Sequence, residues 1–234
     1  MADLSIGIIG GTGPQGRGLA MRLALTRQRV RIGSRQADRA RASARDLNGQ
    51  LDAAVPGLDK DPAFTWIEGD SNQAVTDLSD MVMLTVPFDS AADTLKDLVP
   101  HLKPSAIFVD VTVPLEFGKG EVILRALPEG SGSRHMRAIL PAEFPLIGAC
   151  KTQPAGVLEQ LDTPLNCNDF VFGDHKEAKA AVIEMLERIP HLVPLDVGGL
   201  SAAATVEGMT ALLVRINRRH KVHSSRFSVV GLHP

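Results

Sequence analysis

With 234 residues, 44% of them apolar, the chain suits one α/β domain plus a smaller appendage around a sizeable core. A formal charge of −2 excludes a broadly basic nucleic-acid or membrane-surface binder. Cys150 and Cys167 are too few and too far apart for a zinc framework or a secreted disulfide scaffold.

The N-terminus carries no basic leader region, and no segment reaches the roughly twenty apolar residues of a membrane span. A cytoplasmic protein with reduced thiols, no metal and no membrane or nucleic-acid partner is therefore expected.

In chain order, Ser5 to Ile9 is short and Ile-rich, as a central parallel strand buried on both faces should be. From Gly16 the period becomes helical through Leu19, Leu23 and Ala24, with Arg17, Arg22, Arg27 and Gln28 free to face solvent. A second strand is expected over Val30 to Gly33, and Gln36 to Asn48 reads as a charged, alanine-rich helix. Pro56 to Pro62 reads as a loop, Phe64 to Glu68 as a third strand, and Asn72 to Leu78 as a helix. An apolar strand, Met81 to Val86, is closed by Pro87. Ala91 to Leu98 is helical in pattern, and Ile107 to Val111 and Pro145 to Ala149 are further strands. This alternation implies a doubly wound parallel sheet.

Between strand and first helix runs Gly11-Thr12-Gly13-Pro14-Gln15-Gly16, the spacing of a dinucleotide-binding turn in its required strand-turn-helix setting. Gly11 permits the tight turn, Gly13 lets the backbone approach a pyrophosphate, and Gly16 lets the helix pack close to the strand. The helix start presents unpaired N–H groups and a partial positive charge to the phosphates. The second strand ends without the Asp or Glu that would bind an unmodified ribose. It ends instead in Ser34-Arg35, with Arg39 one helical turn later. A hydroxyl and two guanidinium groups favour a 2′-phosphate, hence NADP over NAD. The plainer reading, cations solvating a helix start, is disfavoured because positive charge is misplaced there.

Thr112 to Arg134, rich in Gly and Pro, is expected to be a loop with a helix inside it, either a linker or a lid over the site. Beyond it, Ala155 to Leu161, Glu177 to Ile189 and Ser201 to Asn217 look helical, and Asp169 to Phe172 and Leu192 to Val197 look like strands. The expected organisation is a dinucleotide-binding domain over 1–152 and a small C-terminal α/β unit over 153–234 completing a second cleft. Arg215, Arg218, Arg219, Lys221 and Arg226 cluster near the C-terminus, as a solvated helix end or as a site for an anionic ligand or partner. His101, His135, His175, His191 and His233 lack ligand spacing and are read as surface or packing residues.

Gly10-Gly11-Thr12-Gly13, Gly33-Ser34-Arg35, Val86-Pro87-Phe88, Gly173-Asp174 and Leu195-Asp196-Val197-Gly198, in this order and spacing, resemble the coenzyme F420-dependent NADP oxidoreductase family over nearly the whole length. The tail Asn217-Arg218-Arg219-His220-Lys221 with Gly231-Leu232 is similar to that of its bacterial members. The resemblance implies a Rossmann-like sheet and hydride exchange between nicotinamide C4 and C5 of an 8-hydroxy-5-deazaflavin stacked in the interdomain cleft. It also implies a homo-oligomer. By the same resemblance Thr12, Ser34, Arg35 and Arg39 hold NADP, and Val86 and Pro87 form the wall beneath the nicotinamide. With Gly11, Gly13 and Gly16 these make the expected cofactor site. No residue is expected to be catalytic, because both cofactors carry their own reactive atoms.

The chain departs from the family at Cys150-Lys151, where relatives carry an apolar residue and His, and at Gln153. Lys151 there could pair with an anionic ring or tail, or signal another acceptor such as a flavin, a pterin or a small imine or carbonyl compound, and for carbonyl reduction it is the candidate general acid. Cys150 beside Lys151 admits an activated thiolate or, more commonly for free cysteines, an inert buried thiol. A protein that senses NADP without turnover is the remaining alternative.

Overall fold

The computed structural model describes residues 4–60, 62, 64–118 and 121–232, so His233 lies outside the described residues. In chain order the first half runs β1 (Ile6–Ile9), α1 (Pro14–Ala24), β2 (Val30–Ser34), α2 (Ala37–Ala54), β3 (Glu68–Ser71), α3 (Asn72–Asp77), β4 (Met81–Leu84), α4 (Phe88–Leu98) and β5 (Ile107–Asp110). A hairpin of β6 (Leu115–Phe117) and β7 (Val122–Leu124) precedes α5 (Gly132–Ile139) and β8 (Leu146–Gly148). The remainder is α6 (Ala155–Glu159), β9 (Cys167–Val171), α7 (Lys176–Glu187), β10 (Leu192–Asp196) and α8 (Ala203–His220).

Six strands form one parallel sheet in the order β3-β2-β1-β4-β5-β8, the doubly wound arrangement anticipated from the alternation. Side chains alternate between its faces. Met81 and Met83 enter the apolar cluster beneath α1 and α2, whereas Val82 and Leu84 enter the one beneath α4 and α5. The first cluster runs unbroken from Ile6 to Leu192, so it also gathers β8, α7 and the start of β10. β9 and β10 pair in parallel as a separate ribbon. The ribbon is stitched to the main sheet by reciprocal backbone bonds of 2.8 and 3.0 Å between Gly148 and Phe172. Any Cβ at Gly148 would strike the Phe172 ring.

Three expectations need correction. The third strand is Glu68–Ser71 rather than Phe64 to Glu68. Phe64 and Trp66 instead pack edge to face at 4.7 Å against the core, and the polar stretch pairs with Arg31 to Ser34 of β2. Apolarity pointed to the aromatic segment, but hydrogen bonding selected its neighbour. The Thr112 to Arg134 segment holds the antiparallel β6–β7 hairpin, and α5 begins only at Gly132.

Arg22 and Gln28, expected at the surface, are buried. The Arg22 guanidinium donates to the carbonyls of Val157, Leu158, Gln160 and Thr163 at 2.7–3.0 Å, tying α1 to the end of α6. Arg22→Met takes this donor from the Leu158 and Thr163 carbonyls, while those of Val157 and Gln160 keep the N–H groups of Gln160 and Thr163. It should cost about 3 kcal/mol, the upper range for hydrogen bonds to a charged group, read as a lower urea midpoint at unchanged slope.

Candidate functional site

The carboxyl ends of β1, β2, β4 and β5 open into a cleft of ≈ 600 Å³. Its far wall is the 150–155 segment and the α8 stripe Thr210, Leu213, Val214 and Asn217. That location, outside strand ends where the sheet order reverses, is where doubly wound sheets bind ligands.

Of the nine expected cofactor residues, Thr12, Gly13, Ser34, Arg35, Arg39, Val86 and Pro87 border the cleft. Gly11 and Gly16 lie beneath it and keep the floor thin. A Cβ on Gly11 would sit 2.5 Å from Ile32 Cβ, and one on Gly16 would sit 2.6 Å from the Gly11 Cα. The role given to Gly16 fits this geometry, whereas the role given to Gly11 needs correction. The left-handed turn residue is Gly10, with φ of +79°, and Gly11 is small because β2 passes too closely.

Gly13 is the N-cap of α1 and supplies no side-chain cap, and Pro14 occupies the first turn. The N–H groups that open α1 are thus left for a ligand oxygen, and Thr12, Gly13, Pro14 and Gln15 face the cleft. Gln15 also donates to the Cys150 carbonyl at 3.1 Å, linking this turn to the opposite wall.

At the end of β2, Ser34 is buried and its Oγ accepts from the Gln36 N–H at 3.3 Å. Arg35 and Arg39 are exposed at the cleft rim, and no carboxylate among the described residues pairs with either. On the other side, Val86 packs against the first turn: a Cβ on Gly10 would come within 2.7 Å of its Cγ1. Pro87 caps α4 in an extended conformation. Together these features fit a dinucleotide that carries an extra anionic group on its adenosine half.

Lys151 does not stand at the mouth. Its side chain is fully buried, with Nζ donating to Asp110 Oδ2 at 2.8 Å and to the Thr112 carbonyl at 2.6 Å, and lying 3.9 Å from Glu207 Oε1. Glu207 in turn accepts from the N–H groups of Gly132 and Ser133 at the start of α5, at 2.8 and 2.9 Å. Ser133 Oγ bonds Asp110 at 2.6 Å. This closed network joins β5, α5, the 150–155 segment and α8, which removes Lys151 as a partner for an anionic ring or as a general acid.

Cys150 is the inert alternative. Burial, reinforced by Asp169 beside it, pushes its thiol well above the ordinary range, and burial raises Cys167 to about 11. Asp169 itself is raised by burial although it accepts the Cys150 N–H at 2.8 Å.

The basic C-terminal cluster divides. Arg218 lies over the Phe117 ring at 5.3 Å, while Arg215 and Arg219 fall off the cleft-facing stripe at 100° per residue. Lys221 ends the helix in a left-handed conformation. Sequence reasoning missed Asn72 and the wall residues Thr210 and Asn217, all of which border the cleft. The i, i+3, i+4, i+7 spacing of Thr210, Leu213, Val214 and Asn217 was the available signal for that wall. His101 and His135 pair with Asp77 and Glu129, each at 3.1 Å, and His175 caps α7. Among the described residues no three metal-ligating side chains gather.

Sheet order and glycine cradle define the class, an α/β protein of the Rossmann-like, nucleotide-binding type. Residues 5–114 match the family model described as NADP oxidoreductase, coenzyme F420-dependent. The F420-dependent NADP reductase of Methanocaldococcus jannaschii is 32% identical over 231 residues, covering 98% of this chain and 99% of that one. The protein of the same description from Methanothermobacter thermautotrophicus is 29% identical, covering 98% and 96%. A crystal structure from Arthrobacter sp. FB24, described as an F420-dependent NADP reductase, superposes with a TM-score of 0.77 at 22% identity over 97% of this chain and 100% of that one, a likeness of fold. The chain belongs to the coenzyme F420-dependent NADP oxidoreductase family.

Proposed function

We propose that this protein transfers a hydride between NADP(H) and coenzyme F420, the 8-hydroxy-5-deazaflavin. The observation that carries the NADP half is the end of β2, where Ser34, Arg35 and Arg39 border the cleft and no carboxylate among the described residues pairs with either arginine. Family membership and the near-complete overlap with relatives described as F420-dependent NADP reductases support the acceptor.

In this reading Gly11 and Gly16 keep the floor thin, and Thr12 and Gly13 with the α1 start hold the pyrophosphate. Val86 and Pro87 back the nicotinamide. Residues 1–152 carry the nucleotide, and 153–234 close the acceptor side through α8. The two bound cofactors supply both reacting carbons. The chain's own work is to hold the rings face to face, select the face and keep water out. Reduction of a carbonyl or imine would need a general acid beside the nicotinamide, and Lys151 is locked away from it by Asp110. A cytoplasmic homo-oligomer completes the proposal, with the exposed Phe117, Ile123 and Val230 offering apolar surface to a second copy.

Mixing the protein with NADPH and oxidised deazaflavin and following the deazaflavin's visible band tests this reading. Rapid bleaching is the expected result. Turnover of a flavin or carbonyl acceptor alone would replace the acceptor, and tight NADPH binding without any turnover would make the protein a sensor.

A further inference from the structure

Asn72 borders the cleft beside the residues that close β2. It follows Ser71, which pairs with Ser34 across β3 and β2, so the parallel register sets it alongside Arg35 at the strand ends. It is 6% exposed and borders the cleft with Ser34, Arg35 and Arg39. Its Oδ1 is sealed over Gly33, where an added Cβ would lie 2.7 Å away, and finds no hydrogen-bond partner among the described residues. Nδ2 donates to none of them either. Only the backbone of Asn72 is engaged, its carbonyl accepting from Thr76 Oγ1 at 2.8 Å.

A carboxamide offers two donors and an acceptor with two lone pairs, and burying one with nothing paired is costly enough to be rare. Nothing loosens this one: Ser71 caps the turn that carries it, accepting from the Ala74 N–H at 3.2 Å. The neighbouring carboxylate, Asp70, is turned to Arg41 at 3.0 Å and to the Ser71 N–H at 2.7 Å, so it does not compete for the amide.

We infer that Asn72 is a specificity residue for the phosphorylated ribose, its Nδ2–H donating to a 2′-phosphate oxygen beside Ser34 and Arg35. The inference deepens the proposed function and rests on it for the nucleotide's identity. The end of β2 is where the adenosine ribose lies in this class of sheet, and an uncharged donor there adds to the two guanidinium groups without repelling them.

Calorimetric titration of the protein with NADPH, NADH, 2′,5′-ADP and AMP tests it without any acceptor. Asn72→Ala should weaken NADPH and 2′,5′-ADP by about 5- to 10-fold, the value of one ordinary hydrogen bond, and leave NADH and AMP within about twofold. Asn72→Asp, nearly isosteric, should weaken NADPH by about 50-fold while NADH binds as well or better, because a carboxylate repels the phosphate and accepts from a free 2′-hydroxyl. If the alanine variant folds poorly, the NADPH to NADH ratio within the Asp variant still decides. Equal losses for both nucleotides, or no loss for NADPH in either variant, overturn the inference alone. A wild-type protein that does not prefer NADPH to NADH removes the NADP reading as well.

Discussion

Replacing Lys151 by Met should lower the free energy of unfolding by about 3–5 kcal/mol, the range for removing one partner of a buried ion pair. The methionine preserves the stem but leaves Asp110 charged in a sealed interior, with Ser133 Oγ at 2.6 Å as the remaining donor to Oδ2. Glu207 is less affected, since the start of α5 still supplies it two N–H groups. Domains of this kind are typically stable by about 5–15 kcal/mol, so the variant should lose a large share of its margin. Urea unfolding reads the effect as a lower midpoint. Adding Asp110→Asn should return about 1–3 kcal/mol, the coupling expected of residues in one network. A loss under about 1 kcal/mol, or strict additivity of the two changes, would mean that the network is not an electrostatic unit.

Arg35→Ala should weaken NADPH binding by about 1.5–3 kcal/mol, roughly 10- to 150-fold, with little change for NADH. The guanidinium is exposed at the cleft rim and pairs with no described carboxylate, so its interaction with a 2′-phosphate is opposed by no internal competitor. Exposure also makes the interaction sensitive to ionic strength: added salt should erode NADPH affinity more than NADH affinity in the wild type, and less so in the variant. Titration at two salt concentrations checks both statements, and equal losses for the two nucleotides would remove Arg35 from the phosphate site.

Much of this site was legible because its chemistry is local. The glycine turn needs close-packed backbone, and the pair Ser34-Arg35 announces its ligand by the carboxylate it lacks. What escaped depends on partners distant in sequence. Lys151 looked accessible because nothing near it in the chain is acidic; its counter-charges come from Asp110 and Glu207. Arg22 sat on what looked like a polar face, yet carbonyls from Val157 to Thr163 close over it. Glu68 to Ser71 carries no strand-like apolar pattern, and only the edge of β2 makes it a strand. Gly69 fits there because the Ala40 carbonyl would leave no room for a Cβ. Asn72 was passed over for a similar reason, since a helix-start Asn is ordinary until its neighbours are shown to leave it unsatisfied.

The enclosure of Cys150 and Cys167 gives the molecule a built-in clock for opening. An alkylating reagent finds no ready thiolate on the folded chain, so each sulfur becomes reactive only when the surrounding shell parts. The rate of mass gain under such a reagent therefore counts excursions of the 150–155 segment and of β9, which Asp169 clasps together through the Cys150 N–H.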